Sequence, residues 1–192
     1  MKHVVVVGGS HAGLATAHQI LQQASRLSLH DTKITLVSRE THFFWNIAIT
    51  RALIPGQYTD EQLFQPIEPG FQKYPKDAFE FVLGTLMTVD PQSNDVKVER
   101  KDGGKKFIQF DYLVLATGCH TTGAYPWKSL GSYEATLKAL HSLQAKVEKA
   151  TTIAVVGAGP TGVSIAGELA YEYRSSKKVI LVSTNARWRL RH

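Results

Sequence analysis

The feature that most constrains this chain is a strand followed by a glycine turn and a helix, found once near each end of the sequence. The first segment reads VVVVGGSHAGLA from Val4, and the second reads IAVVGAGPTGVS from Ile153. A continuous run of β-branched residues is typical of a parallel strand covered on both faces, and apolar residues at helical spacing follow each turn. Further strand-like runs at 33–38 and 177–184 complete two predicted βαβ units.

The second glycine turn, GAGPTG, has the complete GxGxxG spacing of dinucleotide-binding folds. Gly157 allows the tight turn, Gly159 lets a pyrophosphate approach the backbone, and Gly162 lets helix and strand pack closely. Pro160 and Thr161 lie at the predicted helix N-terminus, whose free N–H groups and partial positive charge favour phosphate. We therefore predict a nucleotide site, the alternative being a tight strand–helix turn that binds no ligand.

The first glycine turn, GGSHAG, keeps the first and third glycines, Gly8 and Gly13, but has Ser10 at the middle position. The serine side chain either crowds a bound phosphate or donates its hydroxyl to it. The acidic residue that usually binds ribose is expected at the end of the second strand. Here Ser38 occupies that end and Glu40 follows two residues later, so Glu40 either reaches the ribose or is a solvated surface carboxylate.

The second unit has no acid at the corresponding strand end, which reads Ser183-Thr184. Arg187 and Arg189 follow, and an arginine near this position without the acid favours a 2′-phosphate, hence NADPH. The alternative is that these arginines belong only to a frayed basic end of the chain.

The region between the two units is predicted to be mixed. We expect a helix at 12–27, a short helix near 45–53 followed by irregular chain, strands at 78–83, 84–89, 95–100, 105–110 and 112–118, and a helix at 133–149. Asp102-Gly103-Gly104 within alternating residues predicts a hairpin. The predicted fold class is α/β: a Rossmann-like domain with a small β-meander (1–122), followed by an incomplete second Rossmann-like domain (123–192).

Composition narrows the classes of protein. The net charge is +6, but the basic residues are scattered apart from the closing RWRLRH, so we expect an anionic dinucleotide ligand and no nucleic acid. Cys119 is the single cysteine, which excludes a CxxC redox pair and a cysteine-based zinc site. No apolar run approaches the roughly 20 residues of a membrane span, and because the strand signal begins at His3 we expect no presequence. We expect a cytoplasmic protein, with peripheral contact to mitochondria or other lipid surfaces left open.

Two glycine turns with FDYLVLATG between them resemble the two-dinucleotide-binding flavoprotein oxidoreductases. THFFWNIAITRAL resembles the segment after the second strand in apoptosis-inducing-factor-like flavoproteins, which include mitochondrion-associated and ferroptosis-suppressor types, with the fungal members nearest. VVGAGPTGVSIAGEL resembles their second turn. The resemblance implies that 1–122 binds FAD and that 123–192 binds NAD(P)H.

The residues and the resemblance together give a set of cofactor-binding candidates. For FAD they are Gly8, Gly9, Ser10, His11, Ala12, Gly13, Ser38, Glu40, Arg51, Val82, Thr117 and Gly118, and for NAD(P)H they are Gly157, Gly159, Pro160, Thr161 and Gly162. Arg51 is alternatively a helix-surface arginine, and Val82 is also compatible with a core strand position. No catalytic acid–base residue and no metal ligand is predicted.

The implied function is hydride transfer from NAD(P)H to FAD and electron transfer to a quinone-like acceptor. Ser164 stands where relatives commonly carry a glutamate, and family members run to nearly twice this length, so the resemblance implies an N-terminal fragment whose activity is in question. One alternative is a non-catalytic dinucleotide-binding or regulatory protein. Another alternative is a flavin monooxygenase. The absence of the FxGxxxHxxxW signature from the linker argues against it.

Overall fold

The computed structural model describes residues 1–29 and 31–183 of the chain. Its strands are β1 (Lys2–Val7), β2 (Thr32–Ser38), β3 (His42–Phe44), β4 (Phe64–Pro66), β5 (Phe79–Asp90), β6 (Asp95–Arg100), β7 (Lys105–Gln109), β8 (Tyr112–Leu115), β9 (Thr152–Val156) and β10 (Lys178–Val182). Its helices are α1 (His11–Arg26), α2 (Ile49–Ala52), α3 (Asp60–Leu63), α4 (Tyr133–Lys149) and α5 (Pro160–Tyr173), with short 3-10 helices at Asn46–Ala48, Glu68–Phe71 and Arg174–Ser176.

The largest sheet has six strands in the order β7-β6-β5-β2-β1-β8. β1 pairs in parallel with both β2 and β8, and the first part of β5 pairs in parallel with β2. The rest of β5 pairs antiparallel with β6, which pairs antiparallel with β7. In the second unit β9 and β10 form a parallel pair with α5 between them in the chain. The predicted fold class is confirmed: a Rossmann-like unit with a β-meander, then a second, shorter Rossmann-like unit.

The four consecutive valines of β1 face two cores, because successive side chains of a strand point to opposite faces. Val4 and Val6 pack with buried residues of α1 on one face of the sheet. Val5 and Val7 pack with buried valines of β6 on the other face. All four are at most 7% exposed, as expected for a strand covered on both sides.

A third core joins the two units. It unites buried residues of segment 44–64 with buried residues of α4 and α5: Phe44, Ala48, Ile49, Ala52, Leu53, Ile54, Leu63, Phe64, Leu140, Val147, Ile165 and Leu169. The rings of Phe44 and Phe64 stack with centroids 4.6 Å apart. The domain boundary at 122/123 stays a prediction, and the structure adds that segment 44–64 packs against the second unit.

The region after residue 41 is more regular than the sequence predicts. The short helix near 45–53 is present as a 3-10 turn and α2, whereas β3, β4 and α3 fall partly in chain that is predicted to be irregular. α3 begins with a capping box, in which Thr59 accepts from the Gln62 N–H and Gln62 accepts from the Thr59 N–H. The β3–β4 pairing joins residues 42–44 to residues 64–66, and no local sequence pattern predicts it.

Two strand boundaries also differ from prediction. The segments 78–83 and 84–89 form one strand, β5, which changes its partner from β2 to β6 at Gly84 and has a register shift between Leu86 and Thr88. The strand predicted at 112–118 ends at Leu115. Gly118, three residues beyond that end, has φ +65°, in the left-handed region that favours glycine. The hairpin at Asp102-Gly103-Gly104 is confirmed by the β6–β7 pairing.

Candidate functional site

The first glycine turn is shaped by backbone contacts that exclude side chains. The Gly8 N–H donates to the Val37 carbonyl at 2.8 Å, which ties the turn to the end of β2. A Cβ on Gly8 would lie 2.1 Å from the Ala116 carbonyl oxygen, and Gly8 has φ +130°. A Cβ on Gly13 would lie 1.8 Å from the Gly8 carbonyl oxygen. Glycine at position 8 therefore lets the turn lie against Ala116, and glycine at position 13 lets α1 pack closely against the end of β1.

The end of β2 also depends on a glycine. A Cβ on Gly9 would lie 2.3 Å from the Ser38 hydroxyl oxygen, and Ser38 is 4% exposed. The Ser38 hydroxyl donates to the Glu40 carbonyl at 2.9 Å and accepts from the Glu40 N–H at 3.1 Å. A serine hydroxyl has one hydrogen to donate, and here the Glu40 carbonyl accepts it. Ser38 therefore holds the backbone of Glu40 in place. The Glu40 carboxylate itself lies in the cleft beside the turn and accepts a hydrogen bond from the Ser129 hydroxyl.

Ser10 occupies the middle position of the turn without strain. It precedes α1 with φ −123° and ψ −165°, an extended conformation open to any residue, and its side chain makes no capping hydrogen bond. The hydroxyl is exposed and lies among the residues that line the cleft. Whether Ser10 crowds a phosphate or donates to it stays a prediction, since both alternatives place its side chain at the cleft.

The turn opens onto a cleft of about 550 Å³. Binding sites for small molecules and cofactors commonly have volumes of about 300–1,000 Å³. Predicted residues in its lining are Gly8, Gly9, Ser10, His11, Ala12, Ser38, Glu40, Thr117 and Gly118, and further lining residues include Arg39, His42, Asn46, Gly84, Thr85, Cys119, His120, Lys128 and Ser129. Gly13 lies buried just behind the turn.

The charges around the cleft favour an anion. Among the described residues of the lining, Glu40 is the only carboxylate, whereas Arg39 and Lys128 are cations. The first turn of α1 has no acidic residue, and α1 begins in the glycine turn itself. The free N–H groups at a helix N-terminus carry partial positive charge, which favours an anion. The cleft therefore combines cations and helix N–H groups, which favour a phosphate, with one carboxylate, which accepts hydrogen bonds from hydroxyl groups.

Three chain segments meet at Asn46, which lines the cleft. Its side-chain oxygen lies 3.1 Å from His11 Nε2, at the start of α1. Its amide nitrogen donates to the Trp127 carbonyl at 3.3 Å. The His11 ring also contacts Phe43 edge-on, with centroids 4.8 Å apart. These contacts hold the turn, β3 and the connector before α4 together.

Two of the predicted FAD residues lie away from the cleft. Val82 is 5% exposed and packs with Val37 in the core, and the lining of the cleft in β5 begins two residues later, at Gly84. Arg51 points to α5, where its guanidinium donates to Glu168 at 2.6 Å and lies 3.8 Å from Glu172. The hydrogen bond to Glu168 raises the pKa of Arg51 above its ordinary value. A direct role for either residue in holding FAD stays a prediction.

Arg51 and Glu168 border a smaller, open depression of about 380 Å³, which Ser164, Gly167 and Tyr171 complete. Ser164 and Glu168 are four residues apart on α5, so they share one face of the helix. Glu168 thus lies about one helical turn from Ser164, with its carboxylate engaged by Arg51.

The second glycine turn repeats the geometry of the first. The Gly157 N–H donates to the Val182 carbonyl at 2.9 Å, and a Cβ on Gly162 would lie 1.8 Å from the Gly157 carbonyl oxygen. Gly159 precedes α5, and a Cβ there would meet nothing within 4 Å. Pro160 and Thr161 open the helix and are exposed. Thr184, Arg187 and Arg189 lie outside the described residues.

Sequence reasoning missed Arg39, Asn46, Lys128 and Ser129. The sequence gives a weak indication of Arg39 and Asn46 as site residues. Arg39 lies between the candidates Ser38 and Glu40, and Asn46 lies in the segment THFFWNIAITRAL. Lys128 and Ser129 lie in a connector without a motif, and only the fold brings them to β2. Within residues 1–29 and 31–183, no cluster of His, Cys, Asp or Glu is arranged to hold a metal, and no helix has the length and apolar character to cross a bilayer.

Comparison with known proteins places this chain in a family. The model of the pyridine nucleotide-disulphide oxidoreductase family matches residues 2–191. The chain is 49% identical over 183 residues to oxidoreductase ptaL of Pestalotiopsis fici, covering 95% of this chain and 49% of that protein. It is 30% identical over 182 residues to human ferroptosis suppressor protein 1, covering 94% and 43%.

A solved structure agrees with these relatives. The sulfide:quinone oxidoreductase of Aquifex aeolicus superposes with a TM-score of 0.67 at 30% identity, covering 93% of this chain and 42% of that one. The chain therefore spans about half the length of the relatives that it matches.

Proposed function

This chain belongs to the pyridine nucleotide-disulphide oxidoreductase family, and from that premise we propose that its first unit binds FAD and its second unit binds NAD(P)H. The observation that carries the proposal is the cleft at the first turn. There, Gly8 lets the turn lie against Ala116, Gly13 lets α1 pack closely behind the turn, and the lining includes two cations and a single carboxylate. An adenine dinucleotide needs donors for its pyrophosphate and an acceptor for its ribose.

Each part of the cleft has a role in this proposal. The start of α1, with Ser10, donates hydrogen bonds to the pyrophosphate. Glu40 accepts from the ribose of the adenosine half. Thr117 and Gly118 follow β8, line the cleft beside the turn, and border the flavin half in this proposal. A flavin held there supplies the redox chemistry, while the protein supplies position and electrostatics.

The second unit takes NAD(P)H at the turn Gly157–Gly162 in this proposal. Its support is the match to the first turn: the same bond to the second strand and the same 1.8 Å approach at the third glycine. Electrons then pass to a quinone-like acceptor, which is supported by the likeness to a protein named as a sulfide:quinone oxidoreductase. A cytoplasmic location with peripheral contact to mitochondrial or other lipid surfaces belongs to the same proposal.

The first experiment is to purify the chain, measure its flavin absorbance, and titrate FAD into the apo-protein by calorimetry. We expect one FAD per chain, with ADP as a competitor because it carries the same adenosine and pyrophosphate groups. A folded chain that takes up neither FAD nor ADP would contradict the proposal.

The same sample decides between the oxidoreductase and the second candidate, a non-catalytic dinucleotide-binding module. NADPH or NADH is added to the FAD-loaded chain without oxygen, and the flavin absorbance is followed by stopped flow. Bleaching supports the oxidoreductase, and a flavin that stays oxidised supports the module. The observation that favours the module is Ser164, which stands at the position where the family resemblance implies a glutamate. Comparing Ser164→Glu with the unmodified chain isolates the contribution of that carboxylate.

A further inference from the structure

We infer that Ser129 is a positioning residue for nucleotide binding: its hydroxyl holds the Glu40 carboxylate in the orientation that accepts from the adenosine ribose. This inference rests on the proposed function, because the ribose belongs to the dinucleotide. Ser129 lies in the connector before α4, 89 positions from Glu40, and both residues line the cleft.

The Glu40 residue is held at two points. The Ser38 hydroxyl bonds the backbone N–H and carbonyl of Glu40, which fixes where the side chain starts. The Ser129 hydroxyl donates to Oε1 of the carboxylate, which fixes where the side chain ends. A hydroxyl has one donor, whereas a carboxylate has two oxygens and about four acceptor sites. Oε2 therefore stays available to a ribose hydroxyl while Oε1 is held.

Ser129 is itself held by the connector. Its oxygen accepts from the Gly131 N–H at 3.1 Å. The next residue, Leu130, donates its N–H to the Thr136 hydroxyl at 2.9 Å, and Thr136 is buried in α4. On the other side, the Trp127 carbonyl accepts from Asn46. A donor anchored on both sides can fix a carboxylate before a ligand arrives, which lowers the entropy cost of binding.

The experiment is a double-mutant cycle on FAD affinity, measured by calorimetry with the unmodified chain, Ser129→Ala, Glu40→Ala and the double variant. We expect Ser129→Ala to weaken FAD binding roughly threefold to tenfold in the unmodified background, the range for one hydrogen bond or one ordered side chain. In the Glu40→Ala background we expect Ser129→Ala to change nothing, because the carboxylate that it positions is gone.

Two matched variants separate positioning from general damage. Ser129→Thr keeps the hydroxyl and should restore most of the affinity. Ser93→Ala removes another serine–carboxylate hydrogen bond, the 2.9 Å contact to Asp95 in the β5–β6 turn, and should leave FAD affinity unchanged. Thermal unfolding of each apo-protein confirms that the variants fold.

The outcomes distinguish this inference from the proposed function. If the unmodified chain takes up no FAD, the proposed function fails. If the unmodified chain binds FAD and Ser129→Ala has no effect, or weakens binding equally with and without Glu40, the function stands and the positioning role is overturned.

Discussion

At the scale of single residues, the two glycine turns obey the same steric rule. The third glycine of each turn lies so close to the carbonyl of the first that a Cβ would approach that oxygen to 1.8 Å. The clash is with backbone, which cannot rotate away as the end of a flexible side chain can. Gly13 and Gly162 are therefore fixed by packing, whether or not a nucleotide is bound.

Gly13→Ala tests this rule and the FAD assignment together. We expect the free energy of unfolding to fall by about 1–3 kcal/mol or more, because α1 must move off β1 to admit the methyl group. We also expect FAD uptake to be lost, because the same shift moves the start of α1 away from the cleft. Urea unfolding and an FAD titration of the folded fraction measure the two effects.

Two controls accompany Gly13→Ala. Gly70→Ala places a methyl group where nothing lies within 4 Å, and should be close to neutral in stability. Gly162→Ala should destabilise through the equivalent clash in the second unit and leave FAD uptake intact. Undiminished FAD uptake by a folded Gly13→Ala chain would remove the first turn from the binding site.

At the scale of elements, an ion pair joins two helices that the chain order keeps far apart. Arg51 of α2 reaches Glu168 of α5 at 2.6 Å and also donates to Gln57 at 2.7 Å. The side chains of Arg51 and Glu168 are about one-third exposed, 33% and 32%. Solvent and salt therefore screen the pair, and the apolar core beneath it contributes more to holding α2 against α5.

Glu168→Gln tests the contribution of this pair. We expect the melting temperature to fall by roughly 1–4 °C at low ionic strength, with a smaller fall in 1 M salt, where screening is nearly complete. Glu172→Gln is the matched control, because its carboxylate lies farther from Arg51, at 3.8 Å, and should matter less. Equal falls for both variants, unchanged by salt, would show that the loss is not electrostatic.

At the scale of the whole molecule, the two units share one core. Leu140 of α4 is fully buried and belongs to the same cluster as Phe44 and Leu53 of the first unit. The second sheet is covered only in part, since Val156 and Val182 are 81% and 42% exposed. We infer that the second unit gains stability by packing on segment 44–64, and that it does not unfold independently.

Leu140→Ala tests this coupling. We expect a loss of about 2–5 kcal/mol, the usual cost of a cavity at a buried leucine. We also expect one unfolding transition, seen at the same urea concentration by tryptophan fluorescence and by circular dichroism. Leu29→Ala, at a leucine that is 53% exposed, should cost less than about 0.5 kcal/mol. Two separate transitions, with only one shifted by Leu140→Ala, would contradict a shared core.

Much of the fold follows from the sequence because its signals are local. Three features depend only on residues close together in the sequence, and each has the predicted form: the valine run of β1, the glycine turns and the helix at 133–149. The third glycines could be assigned to helix–strand packing for the same reason. What the sequence left open was local too: whether Ser10 crowds a ligand, and whether Glu40 faces a ribose or solvent.

The tertiary structure decided the features that depend on distant partners. β5 pairs with two different strands, β2 and β6, and β3 pairs with β4. Arg51 forms an ion pair with Glu168 of α5. The tertiary structure also brought Ser129 to Glu40 across 89 positions. By itself the sequence determined two glycine turns, each between a strand and a helix, because backbone sterics act between near neighbours. Only the tertiary structure decided which side chains surround those turns, because contacts between distant segments leave no local pattern in the sequence.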